Sequence, residues 1–178
     1  MTRFPHALSL GVAASLVTAS AALAAAPQAA LNKTVTVTWG TSGTGVSETG
    51  QSRSFNNINT RTIYISSAGR TFLRMRLRGT KVERDAERGP GDTSGGSSVR
   101  IDGNRLIGVE SFQSGARQWI ATFDPSFSSC SLSVIDAKAG GANIKRRGPD
   151  GAMWTLSNVT TSAPSCSVQS GNALGGSE

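Results

Sequence analysis

Apolar residues along most of this chain recur at every second position, in short runs, and not at helical intervals. Residues 33–39 read K-T-V-T-V-T-W. Val35, Val37 and Trp39 share one side and Thr34, Thr36 and Thr38 the other, which predicts a half-buried strand. Residues 40–50 hold four glycines and predict a loop. Residues 61–66 (R-T-I-Y-I-S) and 71–78 (T-F-L-R-M-R-L-R) predict a hairpin about Ser67-Ala68-Gly69. Further on, 99–102 and 105–112 flank Asp102-Gly103-Asn104, and 117–123 follows Ser114-Gly115. Runs at 130–136, 153–160 and 166–169 bring the total to eight or nine short strands. The pattern predicts one all-β domain, an antiparallel barrel of about eight strands, with a β-sandwich as the alternative. Residues 79–98 interrupt it. They read first as charged (K-V-E-R-D-A-E-R) and then as Gly- and Ser-rich, and predict a flexible loop.

The N-terminus follows another logic. Arg3 and His6 precede a weakly apolar run over 7–26, and Ala22-Leu23-Ala24 matches a small-residue cleavage site. This predicts a signal peptide over 1–24, cleaved to leave a single domain over 25–178, periplasmic or secreted. No later stretch approaches the roughly 20 apolar residues of a membrane helix, so the mature chain is expected to lack a transmembrane segment. In an exported chain the two cysteines, Cys130 and Cys166, predict a disulfide.

Export also limits the chemistry. The chain's one histidine leaves with the signal, which removes Ser-His-Asp and Cys-His catalysis and His-based metal sites. No phosphate-binding loop or dinucleotide fingerprint is present. Among the carboxylates, Glu48, Asp102, Glu110, Asp124, Asp136 and Asp150 stay unpaired by any spacing. Asp102, Asp124 and Asp150 sit in Asp-Gly or Asp-Pro turn settings. Glu83, Asp85, Glu87 and Asp92 do not follow a calcium-loop spacing and interleave with Lys81, Arg84 and Arg88, which points to local ion pairing. Neither a metal nor a cofactor is expected, and the chain reads as non-catalytic.

The formal net charge is +7. Arg70, Arg74, Arg76 and Arg78, with Phe72 among them, fall on even positions of one predicted strand and form a ladder, while Leu73, Met75 and Leu77 face inward. Lys145, Arg146 and Arg147 make a second basic cluster before the Gly148-Pro149-Asp150-Gly151 turn. Together these seven residues are the candidate binding surface for an anionic partner: lipopolysaccharide, an acidic glycan or an acidic protein. Nucleic acid is disfavoured, because only Tyr64 and Phe72 offer stacking nearby. Edge-strand protection and solubility account for the same charges without a ligand. Trp39, Trp119 and Trp154 raise an alternative, a carrier of a small apolar ligand in the barrel interior. A carboxylate-only enzyme is the third possibility.

The opening strand L-N-K-T-V-T-V-T-W, the Ser66-to-Gly69 turn and the F-S-S-C-S and P-S-C-S segments together resemble a group of uncharacterised small exported β-rich bacterial proteins. The resemblance implies the same exported β-rich design over most of the mature chain. It transfers no activity and no site residue.

Overall fold

The computed structural model describes residues 25–79, 83–93, 96–112, 115–138, 144–148 and 150–175; the expected signal peptide lies outside them. Among the described residues a 3-10 turn, Gln28–Ala30, precedes ten strands. These are β1 (Lys33–Ser47), β2 (Ser52–Ile65), β3 (Thr71–Gly79), β4 (Glu83–Arg88) and β5 (Ser97–Asp102), followed by β6 (Arg105–Phe112), β7 (Gly115–Phe123), β8 (Cys130–Lys138), β9 (Ile144–Arg147) and β10 (Met153–Ser170). Among the described residues no helix is long and apolar enough to cross a membrane.

The strands form two antiparallel sheets, one in the order β4-β3-β2-β1-β10-β9 and one in the order β5-β6-β7-β8. The all-β antiparallel class is as expected, but the closed barrel is not formed. β4, β9, β5 and β8 each end a sheet, so the architecture is the two-sheet sandwich. Alternation could not separate the two, because both designs point every second side chain inward. β8 lies against β10 and β5 against β3. Cys130 of β8 and Cys166 of β10 are joined by the expected disulfide, which ties the sheets together.

The core lies between the sheets. Val35, Val37 and Trp39 of β1 face Leu106 of β6 and Trp119, Ala121 and Phe123 of β7, with Ile63, Ile65 and Leu73 beside them. The Trp119 ring lies across Gly108, its partner in the β6–β7 ladder, where a Cβ would collide with it.

Two segments expected as loops are strand. The glycines of 40–50 do not end β1, which runs on to Ser47. Opposite them β10 bulges twice, with the register slipping between Thr38 and Gly40 and between Ser42 and Thr44, and with Ala163 and Asn158 at φ 46 and 51. The bulges crowd their partner: a Cβ on Gly43 would sit 2.8 Å from the Ser157 carbonyl oxygen and 2.9 Å from the Phe55 ring. Glycine serves close approach here, not turn formation. Within 79–98, residues Glu83–Arg88 form β4, paired to β3 along its length. Its register is set by charge, with Glu83, Asp85 and Glu87 opposite Arg78, Arg76 and Arg74. A search for apolar alternation does not detect such a strand.

The β7–β8 turn is fixed by one carboxylate. Asp124 accepts hydrogen bonds from the backbone N–H and hydroxyl groups of Ser126, Ser128 and Ser129, at 2.7–3.1 Å. The turn holds Phe127 at φ 53, buried and stacked on Phe123 with ring centroids 4.6 Å apart. Lys33 Nζ donates to the Phe127 carbonyl at 2.7 Å and anchors the turn to β1. The hydroxyls of Ser128 and Ser129, then the Ser128 N–H, hold the Asp124 carboxyl far below the usual carboxylate range. A folded pKa below the unfolded value of about 3.9 gives a contribution that is complete above that pH and declines as pH falls through it. Asp124→Asn is therefore expected to lower Tm at neutral pH. It should also flatten the fall of Tm between about pH 5 and pH 2 relative to the parent chain. Thermal unfolding across that range checks both.

Candidate functional site

The inner face of β2 changes character partway along. Ile65 and Ile63 are apolar, and Arg61 and Asn59, in the same phase, are polar yet buried. Arg61 is 6% exposed and its Nε donates to Glu110 Oε1 at 2.7 Å; Glu110 on β6 is 7% exposed. Arg61 Nη1 donates to the main-chain oxygens of Thr60 at 3.0 Å and Arg76 at 3.2 Å. The guanidinium stands 5.1 Å from the centre of the Trp39 ring, and Arg117, Glu110's cross-strand partner, approaches the same ring at 5.7 Å. Asn59 Nδ2 donates to Thr41 Oγ1 at 3.2 Å. This buried polar layer closes one end of the apolar core.

Beyond it the sheets diverge into a cleft of about 410 Å³. Met75 and Leu77 of β3 and Ala86 of β4 supply an apolar strip. Arg84 and Arg88 flank Ala86 on the same face of β4, because Arg84, Ala86 and Arg88 pair with the inward residues Leu77, Met75 and Leu73. Ser97 of β5 and Ser111 of β6 contribute hydroxyls from the smaller sheet, and Arg147 of β9 completes the rim. Arg61 and Glu110 form the back wall.

The charges of the cleft do not balance. Glu110 is the one carboxylate among its described lining residues, and it is already bound to Arg61. Arg84 has no hydrogen-bond or ion-pair partner among the described residues. Arg88 Nε is buried and has no hydrogen-bond acceptor; the nearest carboxylate oxygen, on Asp92, is 3.9 Å away. Arg147 Nη1 donates to the main-chain oxygen of Gly151 at 2.7 Å. Guanidinium groups so placed offer planar pairs of donors to carboxylate or phosphate oxygens.

The expected basic surface is built differently from the way the sequence suggested. Arg74, Arg76 and Arg78 do lie on the face of β3 away from the core, but β4 supplies their counter-charges. Arg74 grips Asp85 with two hydrogen bonds, at 2.9 and 2.7 Å, and lies 3.6 Å from Glu87. Arg76 Nε meets the same Asp85 at 2.9 Å, and Arg78 meets Glu83 at 3.2 Å. The hydrogen bond from Arg74, then that from Arg76, keeps Asp85 well below the usual carboxylate range. Arg70 is exposed just before β3. Lys145, Arg146 and Arg147 lie on β9, at the opposite edge of the same sheet from β4, with β10, β1 and β2 between β9 and β3. The two clusters therefore lie on strands that are not neighbours in the sheet. Arg76 and Arg147 are the members that reach the cleft.

The tryptophans occupy packed positions. Trp39 and Trp119 are core, and Trp154 lies under Arg53 at 3.7 Å and donates to the Asp150 carboxylate at 3.2 Å. None of the three lines the cleft. Of the carboxylates weighed as catalytic, Asp124 serves its turn and Asp102 pairs with Arg105 at 3.0 Å. The residues that the sequence reading missed are Arg61, Arg84, Arg88 and Glu110. A signal existed for two of them: Arg61 is in phase with Ile63 and Ile65, and Glu110 with Leu106. A charge on an apolar phase marks a buried polar site. Comparison with protein-family models, with curated proteins and with solved structures finds no match.

Proposed function

We propose that this protein is an exported, non-catalytic binding protein that holds an anionic ligand in the arginine-lined cleft between its sheets. One observation carries the reading. The described side chains place Arg84, Arg88 and Arg147 around a concavity whose single carboxylate is already bound to Arg61. Clefts with a few convergent polar groups over an apolar floor are the common form of small-ligand sites. Export is supported by the N-terminal sequence and by the oxidised cysteine pair. The concave site favours an acidic end group of a glycan or lipopolysaccharide over a broad acidic protein face.

Calorimetric titration with inorganic phosphate, sulfate and an acidic oligosaccharide tests the reading over a range of salt. Arg84→Ala/Arg147→Ala should weaken binding at least about tenfold, the scale of two lost charge-assisted contacts. Arg70→Ala and Arg78→Ala should bind as the parent does. The opposite pattern would return the site to the outer ladder, and no saturable binding by any anion would overturn the reading.

A further inference from the structure

We infer that the ligand of the cleft is a slender two-ended anion, with two acidic groups joined by an apolar spacer. The inference rests on the anion-binding reading above and adds the shape and valency of what is bound.

Side chains alternate across a strand, so Arg84, Ala86 and Arg88 project to one side in that order. Arg84 and Arg88 are four residues apart in sequence, so their Cα atoms are separated by roughly 13 Å in an extended strand. The methyl group of Ala86 leaves the interval open, and Met75 and Leu77 pave it from β3. An apolar strip therefore runs between two cationic ends.

Both ends have donors to spare. Arg84 has no partner among the described residues. Arg88 carries a buried Nε without an acceptor, and a buried unmet donor is costly to leave unmade. The outer arginines of β3 show what satisfied guanidinium groups look like in this protein, each bound to a carboxylate of β4. The inner pair is less well supplied: β4 places Ala86 where a carboxylate could have stood, Arg88 Nη1 donates to the Glu87 carbonyl at 3.1 Å, and its Nε has only the Asp92 carboxylate at 3.9 Å. A compact anion such as phosphate engages one end only. A ligand that reaches both gains the second contact at high effective concentration.

The test is a ligand series on the oxidised mature protein: succinate, sebacate, decanoate, the corresponding alkane bisphosphonate, and inorganic phosphate. Sebacate has roughly the length of the Arg84–Arg88 interval, succinate is too short, and decanoate has one charged end. Sebacate is expected to bind at least about tenfold more tightly than either. In Arg84→Ala the advantage should vanish, with sebacate falling to the decanoate level and decanoate changing less than about threefold. Ala86→Glu, which puts a carboxylate between the two arginines, should abolish sebacate binding. Near-ultraviolet circular dichroism confirms that both variants fold. The bisphosphonate arm tells phosphate ends from carboxylate ends. Equal affinities for sebacate, decanoate and succinate, or an advantage that survives Arg84→Ala, would overturn the two-ended ligand and leave the anion-binding reading standing. If phosphate and every acid fail to bind, both fall.

Discussion

Replacing Glu110 with alanine is expected to lower the unfolding free energy by about 3–5 kcal/mol, because it strips a buried guanidinium of its counter-charge. Arg61 has little access to water: it is 6% exposed, stands over Trp39, and is tied by Nη1 to two main-chain oxygens. The loss would come less from the attraction itself than from leaving a charge in the interior. Two further variants separate these terms. Arg61→Ala should cost a similar amount, whereas Arg61→Met/Glu110→Leu removes both charges, keeps the volume and should recover most of the loss. Urea unfolding with a common m-value reads all three. If Glu110→Ala loses less than about 1 kcal/mol, the pair is not the internal support described here.

The second large effect concerns the disulfide. Cys130 and Cys166 are separated by 36 positions, and opening a loop of that size releases chain entropy worth about 4 kcal/mol. Cys130→Ser/Cys166→Ser should therefore lose that amount, or roughly 8–16 °C in Tm for a chain of this size. Either single serine variant should behave nearly as the double does, because the link is lost in each. Position adds to the expectation. Cys166 pairs with Val37 in the interior of the larger sheet, and Cys130, on the edge strand of the smaller, with Phe123, so the bond is a covalent tie from one sheet to the other. Thermal unfolding with and without reductant, on the parent and the double variant, measures the effect. Reductant should shift the parent and leave the double variant unmoved.

What could be read from the sequence follows from which forces write a local pattern. The T-V-T-V-T-W run displays the inward face of β1 directly, because a strand with one buried face must alternate. The cysteine pair was legible for another reason: behind an N-terminus that reads as an export signal, an even count of cysteines predicts a bridge. β4 was not legible, because its partners are ionic: E-R-D-A-E-R carries no apolar phase, and its strand character appears only beside the arginines of β3. The extension of β1 through its glycines was hidden because those glycines answer to bulges on β10, more than a hundred residues later. The site suffered from both effects. Arg74, Arg76 and Arg78 were correctly placed on one face, but their acidic partners came from the supposed loop. Arg84, without a carboxylate partner among the described residues, and Arg88, with only Asp92 at 3.9 Å, belong to that same segment. Arg61 and Glu110 lie far apart in sequence and meet only when the sheets stack.

The position of β10 has a consequence for the order in which this protein can assemble. The last strand among the described residues is an interior one: it fills the space between β1 and β9, and Ser170 stands opposite Lys33. Until it arrives, β1 is an open edge, with a long row of free amide and carbonyl groups on one side. The larger sheet thus cannot be completed progressively from the N-terminus, because its β1–β10 pairing joins Lys33 to Ser170. Such long-range closure is slow and leaves unpaired edges exposed in the meantime. A chain built this way completes its larger sheet only once β10 is free to insert between β1 and β9.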